Sequence, residues 1–146
     1  MNESLVRSWM TPNPVTVTSD TSLPDAHKLM TDRKIRRLPV VDRGKLVGIV
    51  TLGDVRGAQA SEATSLSIFE LNYLLARLMV GRVMHQPVIT VGPDATIAEA
   101  ADLMLRHKIA GLPVVEHGKV IGILTESDIF RIVVGAWKRA PEKAPA

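Results

Sequence analysis

The chain repeats itself. Sliding the sequence along itself by 74 residues lays 10–55 over 84–129 without a gap, and 19 of the 46 paired positions are identical. Three blocks carry most of the match. Leu29-Met30 lies over Leu103-Met104, and Leu38-Pro-Val-Val41 over Leu112-Pro-Val-Val115. Gly44-Lys45, Gly48-Ile49, Thr51 and Asp54 lie over Gly118-Lys119, Gly122-Ile123, Thr125 and Asp128. A unit of about 50 residues buries too little surface to be comfortable alone, so the second copy supplies the surface the first needs. Two half-domains, packed sheet against sheet, are expected.

Each copy reads the same way. A short extended piece, 14–18 or 88–91, ends in turn formers, Ser19-Asp20 or Gly92-Pro93-Asp94. A helix pattern follows; in the second copy Ile97, Ala100, Ala101, Met104 and Leu105 recur at helical spacing, with Asp94 or Thr96 as N-cap. Strands are expected over 38–41 and 112–115. Asp42-Arg-Gly44 and Glu116-His-Gly118 then turn the chain into strands over 45–50 and 119–124. A second helix starts after Thr51 and after Thr125. The order is strand–helix–strand–strand–helix, an α/β class. Between the copies, 58–64 is small and polar, and Leu66, Phe69, Leu71, Leu74, Leu75, Leu78 and Met79 mark an apolar helical stripe. That helix either clamps the repeats or offers a surface for a second copy or an effector. The boundaries expected are 5–60 and 81–137 for the two domains, 61–80 for the linker helix and 138–146 for a frayed tail.

Composition narrows the function. There is no cysteine, which excludes disulfides, thiolate chemistry and cysteine-based zinc sites. Aromatic residues make up only 3%, so Val, Leu, Ile, Met and Ala must build the core, and base-stacking platforms for single strands are absent. No apolar run is long enough to span a bilayer, and 1–10 carries polar residues in place of a signal core; a cytoplasmic location is expected. His27, His85, His107 and His117 are scattered without metal-binding spacing. His107 reads as a surface helix residue near Ala110-Gly111. Met10, Met30, Met84 and Met104 occupy matched positions, best explained by packing. With no nucleophile–base–orienter set, catalysis is not expected.

The motifs richest in chemistry are Gly48-Ile-Val-Thr51-Leu-Gly-Asp54 and Gly122-Ile-Leu-Thr125-Glu-Ser-Asp128. In each a strand feeds a helix, with Thr at the junction and Asp three residues on. One reading is a helix cap, the Thr oxygen accepting from first-turn amides and the acid facing the positive dipole end. The other is a sugar and anion site: free amides and the hydroxyl take phosphate, and an acceptor-only carboxylate takes two ribose hydroxyls. The two are compatible.

With these motifs duplicated in order, and with Met10-Thr-Pro echoed by Met84-His-Gln, the chain resembles a tandem pair of cystathionine beta-synthase (CBS) domains, a Bateman module of the stand-alone bacterial type. The resemblance covers about residues 5–135. It implies a three-stranded sheet and two helices per domain, pseudo-twofold pairing, and two clefts between the domains that take AMP, ADP, ATP, S-adenosylmethionine or NADH as regulatory ligand, with no obligatory cofactor. It further implies a homodimer; output is expected through a separate effector protein or through self-association. By position, Asp54 and Asp128 match the ribose-binding acid, and Thr51 and Thr125 the hydroxyl that contacts phosphate or ribose. Arg36-Arg37 match a phosphate-gripping basic pair, whereas the second copy has Ala110-Gly111 there. The first cleft would hold a charged tail on Arg36, Arg37, Thr51 and Asp54, with Ile89, Ala110 and Gly111 near the base. The reciprocal cleft, with Thr125 and Asp128, would have Val15 and Arg36 on its adenine side. Arg33 and Lys34 need no role beyond a cationic helix end. Two other readings stand beside this one: an assembly module with vestigial clefts, and nucleic-acid binding through 33–37 and the basic tail, which the small net charge of +3 disfavours.

Overall fold

Caps and turns punctuate both copies alike. The computed structural model describes residues 4–62 and 67–139. They form, in order, α1 (Val6–Trp9), β1 (Thr11–Pro12), α2 (Leu23–Arg33), β2 (Arg37–Asp42), β3 (Lys45–Thr51), α3 (Leu52–Glu62), α4 (Ile68–Arg77), a 3-10 turn (Val80–Arg82), α5 (Ile97–His107), β4 (Gly111–Glu116), β5 (Lys119–Thr125) and α6 (Glu126–Arg139). The class is mixed α/β, as the pattern predicts. α2 opens at Ser22, whose hydroxyl accepts the Asp25 N–H. α5 opens at Thr96 with a full capping box to Glu99, which decides between the two candidate caps. Both helices stop on a lysine in the left-handed region, Lys34 and Lys108, at φ 55° and 53°. Both hairpins turn through two residues of positive φ, Arg43-Gly44 and His117-Gly118, the I′ geometry that matches strand twist.

Two expectations shift. The extended pieces before α2 and α5 shrink to single-residue parallel bridges, Val17 to Val40 and Val91 to Val114. Val17 donates to Pro39 and accepts from Val41, but the next N–H, of Thr18, is taken by the Thr21 hydroxyl and the chain turns away. On α5, Leu105 is 77% exposed; the buried face is Ile97, Ala100 and Met104.

The described residues divide into two units that cut across the sequence repeats. The N unit comprises 13–62, 67–89 and 117–120; the C unit comprises 4–12, 90–116 and 121–139. The opening segment of each repeat thus packs with the body of the other repeat. In the N unit β2 and β3 pair antiparallel, with an irregularity between Val40 and Val41. Segment 78–86 adds to them: Leu78 accepts from Leu23, Met79 bridges Ser22, and His85 exchanges both backbone hydrogen bonds with Ile49. The N-unit core is Val17, Leu23, Ala26, Met30, Leu38, Val40, Val50, Val55 and Val80. α4 packs on α2 and α3 of this unit, buries no residue fully, and leaves Phe69 83% and Tyr73 58% exposed. Its stripe is therefore split: Leu71 and Leu75 are half-buried, Leu78 joins the core, and Leu66 lies outside the described residues.

The C unit mirrors this plan. Its sheet runs β1-β5-β4, with Thr11 opposite Ile123 and Pro12 opposite Gly122. Ser4 accepts from Ile97, Leu5 bridges Thr96, and Val6 is buried, each the 74-residue counterpart of Leu78, Met79 and Val80. Arg7 ties this segment to Asp94 and Glu116 through ion pairs. The matched methionines pack as expected. Met30 and Met104 are buried, while Met84 lies on Gly48 and Met10 on Gly122; a Cβ on either glycine would meet the methionine sulfur at 2.5 Å. α6 runs through Trp137 to Arg139, so the start of the expected frayed tail is helical; residues 140–146 lie outside the described residues. Among the described residues no helix is long and apolar enough to cross a membrane.

Candidate functional site

The two strand-to-helix junctions are built from the residues just before the first hairpin strand and just after the second. Leu52 N–H donates to Arg36 carbonyl at 2.8 Å, and Glu126 N–H to Ala110 carbonyl at 3.0 Å. This bond holds position 36 or 110 against the first turn of α3 or α6. At the α3 start, the Thr51 hydroxyl accepts the Asp54 N–H at 3.1 Å and Asp54 Oδ2 accepts the Thr51 N–H at 2.9 Å. That is a reciprocal capping box closed by Asp, so the capping reading is realised. At the α6 start, Asp128 Oδ2 accepts both the Thr125 N–H at 2.9 Å and the Thr125 hydroxyl at 3.3 Å.

Capping uses one carboxylate oxygen, Oδ2, and leaves Oδ1 to a second partner in each copy. The two Oδ1 atoms have different company. Asp54 Oδ1 lies 2.9 Å from His85 Nε2, in a contact whose side chains are 21% (Asp54) and 64% (His85) exposed. Asp128 Oδ1 accepts from Arg131 Nη1 at 2.8 Å, where the acid is 7% and the arginine 67% exposed. His85 arrives on segment 78–86, held by its backbone to Ile49; Arg131 stands one turn along the acid's own helix. By the 74-residue offset His85 corresponds to Thr11 and Arg131 to Gly57, so neither partner has a counterpart in the other copy.

Of the sequence-predicted residues, Arg37 lies directly across the β2–β3 ladder from Thr51 and is half-buried, with exposed Arg36 beside it. Arg36, Arg37, Thr51 and Asp54 are therefore gathered at one junction, together with His85. At the other, Ala110 is half-buried, Gly111 opens β4 buried, and both stand with Thr125 and Asp128 in the C unit. Val15 packs on the N-unit core, and Ile89 is half-buried in the irregular end of the N unit. Neither touches the capped acid in the hydrogen-bond network.

His85 and Arg131 are the residues that sequence reading passed over. Arg131 was findable, since an Asp and an Arg three apart share a helix face. His85 was not: its approach to Asp54 depends on the opening segment crossing to the other repeat's strand. Elsewhere the polar seams also differ. Asp42 accepts from the Ser19 hydroxyl at 2.6 Å and its N–H at 2.9 Å, and these bonds hold its carboxyl below the usual range. Among the described residues no cluster of three His, Asp or Glu side chains is placed to hold a metal ion.

Comparison with known proteins adds to this geometry. Residues 6–61 and 80–135 each match the family described as the CBS domain. The crystal structure of the CBS domain pair of protein MJ0100, in complex with 5′-methylthioadenosine and S-adenosyl-L-methionine, is 32% identical, has a TM-score of 0.78, and is matched over 90% of this chain and 97% of that one. The structure of CBSX2 in complex with AMP gives 32% identity and a TM-score of 0.75 over 91% and 98%. An inosine-5′-monophosphate dehydrogenase of Korarchaeum cryptofilum is 38% identical over 124 residues, 84% of this chain and 23% of its own length. The chain spans between 23% and 34% of three of the curated relatives it matches.

Proposed function

The chain belongs to the CBS domain family, and we propose that it is a regulatory module that binds adenosine-containing ligands at its two Thr-x-x-Asp junctions and has no catalytic activity of its own. The observation that carries this is the pair of capped acids at helix starts, each with Oδ2 fixed to a backbone amide and Oδ1 held only by a mostly exposed side chain, His85 or Arg131. A fixed, acceptor-only oxygen suits a ribose diol, and the positive helix end suits phosphate. Solved relatives with adenosine ligands support the ligand class.

Asp54 and Asp128 take ribose hydroxyls in this reading, with Thr51 and Thr125 contributing their hydroxyls. Arg36 and Arg37 hold the phosphates of AMP, ADP or ATP at the first junction. The second junction, with Ala110 and Gly111 in their place, suits a less charged ligand such as S-adenosylmethionine or 5′-methylthioadenosine. Ile89, Ala110, Gly111 and Val15 are the residues offered to adenine. NADH remains a candidate for the first junction because it too carries phosphates.

Phe130, Val133, Val134 and Trp137 line one face of α6 at helical spacing and are 37–78% exposed. A stripe of this kind supports a homodimer, and signal output then passes through dimer rearrangement to a separate effector protein in the cytoplasm. A ligand shifts such an equilibrium only by its unequal affinity for the two states. Calorimetry with AMP, ATP, S-adenosylmethionine and NADH tests the reading: saturable heat with at least one is expected. No heat and no thermal shift with any of them would overturn it in favour of an assembly module.

A further inference from the structure

We propose that the two ribose acids are guarded by unlike side chains, His85 on Asp54 and Arg131 on Asp128, so that ligand binding at the first junction is coupled to a proton and at the second is not. The inference rests on the assignment of Asp54 and Asp128 as ribose acids. In each copy the capping bonds occupy Oδ2, so Oδ1 is the oxygen through which a diol must enter, and in each copy Oδ1 already has a partner. A ribose therefore displaces His85 at one junction and Arg131 at the other. Both guards are mostly exposed, 64% and 67%, and can swing into solvent without disturbing the fold.

The guards differ in one property. A guanidinium is charged at every pH the protein survives, whereas an imidazole gains its charge between pH 5 and 8. His85 is fixed by its backbone to apolar Ile49 on β3. The charged groups on the elements around it are Asp54 and Arg56 on α3, Arg37 and Asp42 on β2 with Arg36 just before it, Lys45 on β3, and Arg82 in the preceding turn, and Asp54 makes the hydrogen-bond contact. Protonated, His85 holds Oδ1 as an ion pair and competes with ribose; neutral, it holds it by a weaker hydrogen bond. Acidification therefore loosens the ligand at Asp54 and leaves the Asp128 junction unmoved.

The test uses adenosine, which has a diol and no phosphate of its own to titrate, and single-site backgrounds of the full chain. In Asp128→Ala protein, adenosine affinity should fall about two- to five-fold from pH 8 to pH 6, the range of an exposed ion pair. Adding His85→Gln, which keeps an N–H for Oδ1 but cannot titrate, should flatten that profile. Adding His85→Ala should tighten binding at pH 6 by a similar factor. In Asp54→Ala protein the profile should be flat, and Arg131→Ala should tighten binding equally at both pH values. A pH dependence that survives His85→Gln, or weaker binding in His85→Ala, overturns the guard while leaving the ribose sites standing. Absence of adenosine binding in the wild-type chain and in both backgrounds overturns the ribose assignment itself, and the guard with it.

Discussion

At the start of α3, Asp54 shares its Oδ1 with a histidine delivered by the other repeat's opening segment; at the start of α6, Asp128 shares its own with an arginine of the same helix. The backbone around the two acids is the same down to the carbonyl, of Arg36 or Ala110, that receives the first helix amide. The charges around them are not. Arg36-Arg37 face one junction and Ala110-Gly111 the other. The two copies share what the fold needs, a strand delivering a capped acid, and differ in the charged residues around it. The seams show the same division of labour. Asp42 is held by Ser19 in the N unit, whereas Glu116, its counterpart, is held by Arg7 in the C unit.

The comparison breaks most visibly at the acids. Asp54→Ala should weaken ribose-ligand binding at the first junction by about ten-fold or more, the scale of a lost hydrogen bond to a charged group, and leave the second site intact by calorimetry. Equal loss at both sites would mean the junctions are not separate. Next come the glycines beneath the methionines. Gly48→Ala and Gly122→Ala should each destabilise by about 1–3 kcal/mol through overpacking, read from the midpoint of denaturant unfolding. Gly122→Ala should be the worse, because its new Cβ also meets the Thr11 carbonyl oxygen at 3.1 Å. Equal costs would show that the methionine, a flexible neighbour, sets the whole penalty.

Arg37→Ala sharpens the contrast in ligand charge. It should weaken ATP about three- to ten-fold, a loss of one charge-assisted contact, weaken adenosine little, and leave the second site unchanged. Competition titrations with both ligands read this directly. The smallest effect concerns the seams. The Asp42 carboxyl is depressed in the folded protein, so its contribution is present above the unfolded value and disappears as pH falls through the folded one. Ser19→Ala should remove its larger, hydroxyl-bonded part and keep the backbone N–H bond, lowering the melting temperature at pH 5–7 slightly while leaving that at pH 2 unchanged. A deficit of the same size at pH 2 would assign the loss to packing.

Much of this was legible in the chain because it is local. The hairpin glycines, the Leu-Pro-Val-Val strands and the Thr-x-x-Asp caps all report bonds made within a few residues of themselves. The short extended piece before α2 pairs at a single residue because Thr18 turns its N–H to Thr21, a choice that periodicity does not register. The stripe on α4 was legible as a face, but apolar spacing does not say how much of a face is covered: Leu71 and Leu75 are half-buried, whereas Phe69 is 83% exposed.

The sequence by itself determined that one α/β unit is used twice, where its helices begin, and that a basic pair stands before only one of the two capped acids. Those facts follow from composition and spacing along a continuous segment. Only the tertiary structure decided that each opening segment leaves its own repeat, so that Met84 sits on Gly48 and His85 reaches Asp54. A 74-residue offset aligns like with like and is silent on which copy packs against which. That choice depends on contacts between residues far apart in the chain, and it is the choice that gives the two acids different partners.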